Sequence, residues 1–332
     1  MSIRPSSPWI RAAAALALGC LLPLAAATGE QALAASGSPA RPATRDAGAS
    51  PDRQRHEPLI IAHRAGTADY PENTLEGIRG SLDDGADGLW LTVQLSKDGV
   101  PVLYRPVDLA ANTDGTGTVA EHTADELTGL NAGWNFHPRG STDTPYRSGA
   151  ALLPTLRRAL AEVPADRLLF LDLKQANPEP LVQAVLAVLR ETRRTANTVV
   201  YSTDAVASGA ARAAGDVQVA EDRDLTRERL LEIALAHHCD APPAAGTWMA
   251  FEDRRTVAVS ETFTSGTATT EVEVTPWDRE SVACLDPKDR VNLMVIGVTD
   301  AERYRELGRL GIDAVLVDSP RDAVAWRDGR SR

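Results

Sequence analysis

Short apolar segments with strand character alternate with helical segments over most of this 332-residue chain. The predicted strands lie at 59–62, 88–95, 100–104, 167–174, 198–202, 217–220, 293–298 and 312–317. The predicted helices lie at 74–84, 155–163, 180–194, 204–214, 224–237 and 300–310. Because neighbouring parallel strands need a crossover connection, repeated strand–helix units of this kind build parallel sheets.

The number of these units narrows the choice of fold. About eight units over roughly 270 residues predict a (β/α)8 barrel, the TIM barrel fold, of the α/β class. An open, doubly wound sheet is the alternative arrangement of such units. The sequence has no G-x-G-x-x-G loop and no Walker-type loop to favour that alternative. We therefore expect a barrel over residues 59–327.

One region, 240–290, breaks the alternation. Within it, 256–263 and 270–275 alternate apolar and polar residues around a short polar stretch, which predicts a β-hairpin. We expect an inserted hairpin near the end of the barrel, either a lid or a loop without a role. Cys239 and Cys284 flank most of it, and a disulfide between them would close its base.

The first 34 residues have the pattern of a secretory signal peptide. Arg4 and Arg11 precede the apolar run 12–27, and small residues follow. A membrane anchor is the alternative interpretation. Residues 35–58 are rich in Ser, Pro, Ala and Arg and predict a disordered linker.

These segments predict a secreted or periplasmic protein. No later stretch approaches the ~20 apolar residues that a membrane helix needs, so we expect no stable span after signal cleavage. Cleavage leaves two cysteines, Cys239 and Cys284. In an oxidising compartment they either form a disulfide or remain separate buried thiols.

The charge balance limits the partners of the chain. Its formal net charge of −11 argues against nucleic acid as a partner, although one cationic pocket remains compatible with it. Only three residues are lysines, and one of them, Lys174, ends a predicted strand. By strand parity Lys174 shares a face with Asp172. This pair is either a structural ion pair or part of an anion site at the mouth of the barrel, and we favour the anion site.

Several stretches resemble the glycerophosphodiester phosphodiesterase family. The main one is 61–117, in which His-Arg follows the first strand and is followed by Pro-Glu-Asn-Thr and then by SKDGVPVL. Weaker similarity covers 150–160, 169–174 and 310–320. The resemblance implies a (β/α)8 barrel, hydrolysis of a small phosphodiester derived from a phospholipid, and one divalent metal, often calcium or magnesium.

The resemblance also implies roles for residues that match the family pattern. His63 stands at the position of the first catalytic histidine. Arg64 and Lys174 stand at phosphate-binding positions close to the chemistry, so both are expected to be catalytic and to bind substrate. Glu72 belongs to the retained Pro-Glu-Asn-Thr turn and is expected to line the substrate site.

Other positions depart from the family pattern. Trp90 and Thr92 replace two metal carboxylates, and Asp172, the only retained candidate carboxylate, replaces a glutamate. Arg105 replaces the second catalytic histidine. A hard divalent cation needs about six oxygen ligands with two or three carboxylates. We therefore expect no metal cofactor, or only weak binding of calcium or magnesium.

Losing two carboxylates and gaining a guanidinium makes the mouth more positive. Arg64, Arg105 and Lys174 are expected to clamp a phosphate, with His63 as the proton carrier. Bacterial phosphatidylinositol-specific phospholipases C are similar in working without metal, with an arginine in its place. The alternative is an inactive family member that binds a phosphodiester or another protein.

Three further residues have open interpretations. Arg105 is either part of the phosphate site or an ion-pair partner of Asp108. His137, on a loop with two aromatic residues, either replaces the lost histidine or is a plain loop residue, and we favour the second. Asp318 follows the last strand, and the resemblance implies a mainly structural role for it.

Overall fold

The computed structural model describes residues 57–149, 151–239 and 242–330. The signal peptide predicted at 1–34 and nearly all of the linker predicted at 35–58 lie outside the described residues. The described helices include none that is both long and apolar enough to cross a bilayer.

The described residues form eleven strands and nine α-helices. The strands are β1 (Leu59–His63), β2 (Gly88–Leu95), β3 (Pro101–Leu103), β4 (Leu168–Leu173), β5 (Thr198–Tyr201), β6 (Gln218–Val219), β7 (Trp248–Glu252), β8 (Arg255–Phe263), β9 (Gly266–Val274), β10 (Asn292–Ile296) and β11 (Ala314–Val317). The helices are α1 (Leu75–Asp83), α2 (Ala124–Thr128), α3 (Leu156–Leu160), α4 (Glu179–Glu191), α5 (Ala205–Ala214), α6 (Arg223–Ala236), α7 (Arg279–Leu285), α8 (Ala301–Leu310) and α9 (Pro320–Arg327).

Local sequence signals define where many helices begin and end. The side chains of Thr74, Asp204 and Asp300 accept hydrogen bonds from the first-turn amides of α1, α5 and α8. These bonds satisfy amides that have no partner within the helix. Helices α5 and α8 end at Gly215 and Gly311, whose φ angles are 76° and 87°. Glycine adopts this left-handed conformation without the steric penalty of a Cβ atom.

Eight parallel strands form a nearly closed barrel in the order β6-β5-β4-β2-β1-β11-β10-β7. Between the two ends of this path, the Glu221 amide after β6 donates to the Trp248 carbonyl at the start of β7, over 2.8 Å. The predicted (β/α)8 barrel is confirmed.

Strand parity divides the apolar residues into two layers. Leu89, Leu91 and Val93 of β2 pack with the surrounding helices. Trp90 of β2 and Phe170 of β4 point into the barrel with aromatic and aliphatic residues of the other strands. Because alternate residues of a strand face opposite sides, the polar residues that continue the inner face reach the carboxyl end of the barrel.

The predicted boundaries of the insertion need a correction. The segment 240–290 contains β7, a barrel strand, and α7 between β9 and β10. Conversely, the strand predicted at 100–104 is β3, which pairs antiparallel with β2 and lies off the barrel path. Strand β7 has five residues and is followed closely by the hairpin, so its apolar run merges in the sequence with the alternation of the next strands.

The inserted hairpin itself is confirmed. Strands β8 and β9 pair antiparallel from Arg255–Val274 to Phe263–Gly266 and form a separate two-stranded sheet. Cys239 and Cys284 form a disulfide across 45 residues that include β7 and the hairpin. Such a crosslink stabilises the fold mainly by restricting the unfolded chain, by about 4 kcal/mol in the chain-entropy model.

Candidate functional site

The predicted site residues lie together at the carboxyl ends of neighbouring strands. His63 ends β1, Asp172 is in β4 with Lys174 just after it, and Asp318 follows β11. Thr92 of β2 is the register partner of Asp172. This end of a (β/α)8 barrel is where active sites are built.

His63 forms a dyad with Asp318. Its Nδ1 donates to Asp318 Oδ1 over 2.7 Å, and 24% of the His63 side chain is exposed. The hydrogen bond from His63 holds the pKa of Asp318 below its ordinary value. A carboxylate on Nδ1 leaves Nε2 to face a ligand. Asp318, expected to be mainly structural, thus orients the candidate proton carrier.

The turn after β1 uses strained backbone to place Arg64. Arg64, Ala65 and Gly66 have φ angles of 48°, 65° and 87°. Asn73 N donates to Arg64 O over 2.7 Å, and Ser81 Oγ donates to Ala65 O over 2.9 Å. A Cβ on Gly66 would meet Ser81 Oγ at 2.7 Å, so the left-handed turn and the close helix both require glycine there.

The Pro-Glu-Asn-Thr turn holds the site together. Glu72 Oε2 accepts from Arg64 Nη1 over 2.7 Å, so Glu72 orients the guanidinium. Asn73 Oδ1 accepts from the Thr92 amide over 2.9 Å and ties the turn to β2. Thr74 caps α1 and donates to Pro71 O over 2.8 Å. The motif is therefore accounted for by positioning of Arg64, β2 and α1.

Asp172 and Lys174 form an ion pair at the mouth. Lys174 Nζ lies 3.2 Å from Asp172 Oδ1 and donates to Thr203 Oγ1 over 2.9 Å. Burial raises the pKa of Asp172, and the charges of Lys174, Arg64 and His63 oppose the rise. Of the three cations predicted to bind phosphate, Lys174 and Arg64 thus act on this one buried carboxylate.

The residues present do not fit a divalent metal of the family type. Trp90 is 3% exposed, and its ring lies 5.6 Å from Phe170 and 4.7 Å from Tyr201, measured between centroids. Trp90 thus fills the space of a ligand without offering an oxygen. Thr92 Oγ1 is buried and has no hydrogen-bond partner among the described residues, and Asp172 Oδ1 is paired with Lys174 Nζ, so the two residues supply one neutral hydroxyl and one carboxylate.

The ammonium of Lys174 stands beside that carboxylate and repels a further cation. Within residues 57–149, 151–239 and 242–330, no group of three or more His, Cys, Asp and Glu residues is arranged to hold a metal ion. The donor set therefore falls short of what calcium or magnesium requires.

Arg105 lies on an anchored loop beside Lys174. Gln94 Nε2 donates to Tyr104 O over 3.2 Å and to Pro106 O over 2.9 Å, which holds the backbone on both sides of Arg105. The exposed Arg105 side chain and Lys174 line one open cleft of about 570 Å³. The structure thus brings these two cations to the same space.

The interpretation of Arg105 as a partner of Asp108 finds no support. The Asp108 carboxylate accepts from the Ala110 amide over 2.8 Å and caps a short 3-10 helix. In the described part of the chain, the guanidinium of Arg105 has no ion pair or hydrogen bond. Its five N–H donors are therefore available to an anion.

Two other histidines, His137 and His122, hold their own loops. His137 Nδ1 lies 3.0 Å from Asp143 O, and His122 Nε2 lies 3.0 Å from Thr116 O. Neither takes the position of the lost catalytic histidine. His63 is the histidine that the contacts join to the site.

Three residues at the mouth of the barrel were not among the site residues predicted from the sequence. Gln94, which anchors the loop of Arg105, was not among the predicted site residues, although strand parity places it on the inner face of β2 with Trp90 and Thr92. Tyr201 ends β5 as the register partner of Asp172, and this parity signal was present in the sequence. Glu252 ends β7, which was hidden in the predicted insertion, so no sequence signal placed it at the mouth.

Comparison with known proteins agrees with this geometry. The model of the glycerophosphoryl diester phosphodiesterase family matches residues 63–322. The uncharacterized protein Rv2277c of Mycobacterium tuberculosis is 49% identical over 281 residues, which cover 85% of this chain and 93% of that protein. The crystal structure of its glycerophosphoryl diester phosphodiesterase domain superimposes with a TM-score of 0.78 at 48% identity, covering 82% of this chain and 100% of that one.

More distant relatives share parts of the sequence or the fold. Human glycerophosphodiester phosphodiesterase 1 is 39% identical over 115 residues, which cover 34% of this chain and 33% of that protein. An Oleispira antarctica phosphodiesterase, solved with the product sn-glycerol-3-phosphate, has a TM-score of 0.61 at 21% identity, covering 82% of this chain and 97% of that one. At that identity the likeness is one of fold.

Proposed function

The chain belongs to the glycerophosphoryl diester phosphodiesterase family, and from this premise we propose that it hydrolyses a small phosphodiester of the glycerophospholipid type without a divalent metal. The family and the fold support phosphodiester chemistry at the mouth of the barrel. The single observation that carries metal independence is the replacement of the ligand set. Trp90 and Thr92 occupy two carboxylate positions, while Lys174 and Arg105 line the cleft.

In this proposal, fixed cations neutralise the phosphate. Arg64, Arg105 and Lys174 bind the non-bridging oxygens, which carry the charge that develops during phosphoryl transfer. Arg64 is oriented by Glu72, and Lys174 is oriented by Asp172 and Thr203. A planar guanidinium contacts two oxygens at once, which makes arginine suited to this role.

His63 is the proton carrier. A water molecule, or a hydroxyl of the substrate, attacks phosphorus and gives its proton to His63 Nε2, while Asp318 stabilises the imidazolium. The bond from phosphorus to the leaving alcohol then breaks, and the leaving oxygen takes a proton from solvent in the open cleft. Because no second histidine protonates the leaving group, substrates with acidic leaving groups should react faster.

The test is hydrolysis of bis-(p-nitrophenyl) phosphate and glycerophosphocholine by the purified protein, with EDTA or with added calcium. We expect turnover that survives EDTA and disappears in His63→Ala. Turnover that EDTA abolishes and calcium restores would show that a metal ion, rather than the three cationic side chains, neutralises the phosphate. His137→Ala is the matched control, because this exposed histidine bonds only its own loop.

A second candidate function is phosphodiester binding without turnover. The observation that favours it is the single histidine at the site, since Arg105 stands where a second proton carrier would act. An inactive protein that binds glycerol 3-phosphate, and loses that binding in Arg64→Ala, would support this function instead.

We also propose that the protein acts outside the cytoplasm. The signal-like residues 1–34 and the Cys239–Cys284 disulfide support export, because structural disulfides persist in oxidising compartments. Fractionation of cells that express the full chain, followed by gel electrophoresis with and without reductant, tests this. Reduced protein retained in the cytoplasm would contradict it.

A further inference from the structure

Across the mouth from His63 lies a second charged cluster that the proposed chemistry does not use. It consists of Arg223 at the start of α6, Glu252 at the end of β7, and Arg255 at the start of the hairpin. Trp248 and Ala250 of β7 face the barrel interior, so parity brings Glu252 to the inner face at the carboxyl end. The cluster therefore belongs to the mouth.

The two carboxylate oxygens of Glu252 differ in the number of hydrogen bonds that they accept. Oε1 accepts from a terminal nitrogen of Arg223 and from Arg255 Nη1, the latter over 2.9 Å. Oε2 is buried and has no hydrogen-bond partner among the described residues. A buried carboxylate oxygen is rarely left without a donor, which points to a donor that a ligand supplies.

The two arginines also have donors to spare. Arg223 gives one hydrogen bond to Glu252 and stacks over Phe251, with its guanidinium carbon 5.4 Å from the ring centroid. Arg255 gives one hydrogen bond to the same carboxylate, and 38% of its side chain is exposed. Each guanidinium has five N–H groups. The cluster thus combines one free acceptor with several free donors.

Tyr201 lies close both to this cluster and to Asp172, which is on the side of the mouth where phosphate is proposed to bind. It is 4% exposed and is the register partner of Asp172. Burial raises the pKa of Tyr201, the charge of Asp172 raises it further, Arg223 opposes the rise, and Glu252 adds to it. Tyr201 is therefore within electrostatic range of Asp172 and of the Arg223–Glu252 pair.

We propose that Glu252, Arg223 and Arg255 form a subsite for the vicinal hydroxyls of a polyol, such as the glycerol portion of the substrate. One hydroxyl donates to Glu252 Oε2, and hydroxyl oxygens accept from the arginines. The cluster carries one negative and two positive charges, so it disfavours a quaternary ammonium group. This inference rests on the proposed function, because it places the phosphate against Arg64 and Lys174.

The experiment compares three ligands by isothermal titration calorimetry: inorganic phosphate, glycerol 3-phosphate and phosphocholine. We expect glycerol 3-phosphate to bind about tenfold tighter than phosphate, the gain typical of hydrogen bonds to charged groups. Phosphocholine should bind no tighter than phosphate. In Glu252→Gln the preference for glycerol 3-phosphate should disappear while phosphate affinity stays within about twofold.

A double variant that leaves the net charge of the protein unchanged controls for a general effect of charge on ligand affinity. Glu252→Met with Arg255→Met removes one charge of each sign and should abolish the same preference. Glu261→Gln, on the exposed hairpin, is the matched control and should behave as wild type. Thermal melting checks that each variant is folded, and Arg255→Ala serves if Glu252 variants unfold.

The outcomes separate the subsite from the proposed function. Equal affinity of the wild type for phosphate and glycerol 3-phosphate overturns the subsite alone. Preference for phosphocholine that depends on Glu252 assigns the cluster to an ammonium group and also overturns it. A wild-type protein that binds none of the three ligands overturns the phosphate site and the subsite together.

Discussion

The two sides of the barrel mouth differ in how their charges are paired. On the β1–β4 side, the cations Arg64 and Lys174 each contact a carboxylate, and the carboxylates serve to orient them. On the β7 side, two arginines surround one glutamate whose second oxygen has no partner in the described ranges. In the first arrangement each cation is held by a carboxylate of its own, whereas the second has one more cation than carboxylates and an acceptor oxygen that is not used.

This difference indicates a division of roles. Positive charge binds any phosphate, so the β1–β4 side cannot by itself distinguish one diester from another. A site that hydrogen-bonds hydroxyls rejects analogues that lack them, because its buried polar groups are then left unpaired. In the function and the subsite proposed above, the β1–β4 side carries out the chemistry and the β7 side selects the alcohol.

The largest expected effect is that of removing the proton carrier. His63→Ala should lower kcat by about 10³-fold on both diesters, as is typical when general acid–base catalysis is lost. Steady-state hydrolysis of bis-(p-nitrophenyl) phosphate measures this. An active His63→Ala protein would show that another residue carries the proton. The β1–β4 side would then no longer be the side of the mouth that performs the chemistry.

Removing the charge behind His63 should have the next largest effect. Asp318→Asn should lower kcat by about 10- to 100-fold with KM little changed, because Nδ1 loses the carboxylate that orients it. Asp328→Asn, at the end of α9, is the matched control. A change in KM alone would show that Asp318 contacts substrate rather than His63.

Arg105→Ala should weaken turnover and binding more moderately. We expect kcat/KM to fall about tenfold, since one of three cations is lost. Arg309→Ala, exposed at the end of α8, should leave kcat/KM unchanged. If Arg105→Ala matches wild type, this arginine faces solvent and the phosphate side has only two cations.

Asp172→Asn should strengthen phosphate binding, whereas the preceding substitutions should weaken turnover or binding. Removing a negative charge 3.2 Å from Lys174 should tighten phosphate binding about fivefold, the scale of one charge interaction near 4 Å in water. Asp166→Asn, an exposed position before β4, is the control. A complete loss of turnover in Asp172→Asn would instead identify this carboxylate as a metal ligand.

The smallest expected effect is on stability as a function of pH. Because the folded-state pKa of Asp172 is raised above the unfolded value of about 3.9, the folded wild type loses stability as pH rises from there through the folded pKa. Asp172→Asn should lack this loss, so its advantage should grow with pH. Urea unfolding at several pH values measures it, and parallel curves would contradict it.

Much of the fold could be predicted from the sequence because its signals are local. The alternation along β2 assigns Leu89 and Leu91 to one face and Trp90 to the other, and the structure places them in two different apolar layers. Helix α4 has a long apolar stripe and appears almost as predicted. The residues of the β1–β4 side could be predicted because they follow strands that are long or belong to a specific motif.

The parts that were missed depend on partners distant in sequence. Asp318 bonds His63 across 255 positions, and this pairing follows from β1 and β11 being neighbours in a closed barrel. Glu252 was missed because β7 is short and directly precedes the hairpin. Neither the closure of the barrel nor the identity of a five-residue strand is encoded in a local pattern.

The most direct test of the account is a crystal structure with phosphate or glycerol 3-phosphate in the presence of calcium. We expect an anion held by Arg64, Arg105 and Lys174, with no calcium beside Asp172. A calcium ion coordinated by Asp172 and neighbouring oxygens, or a phosphate that Arg105 does not contact, would contradict it.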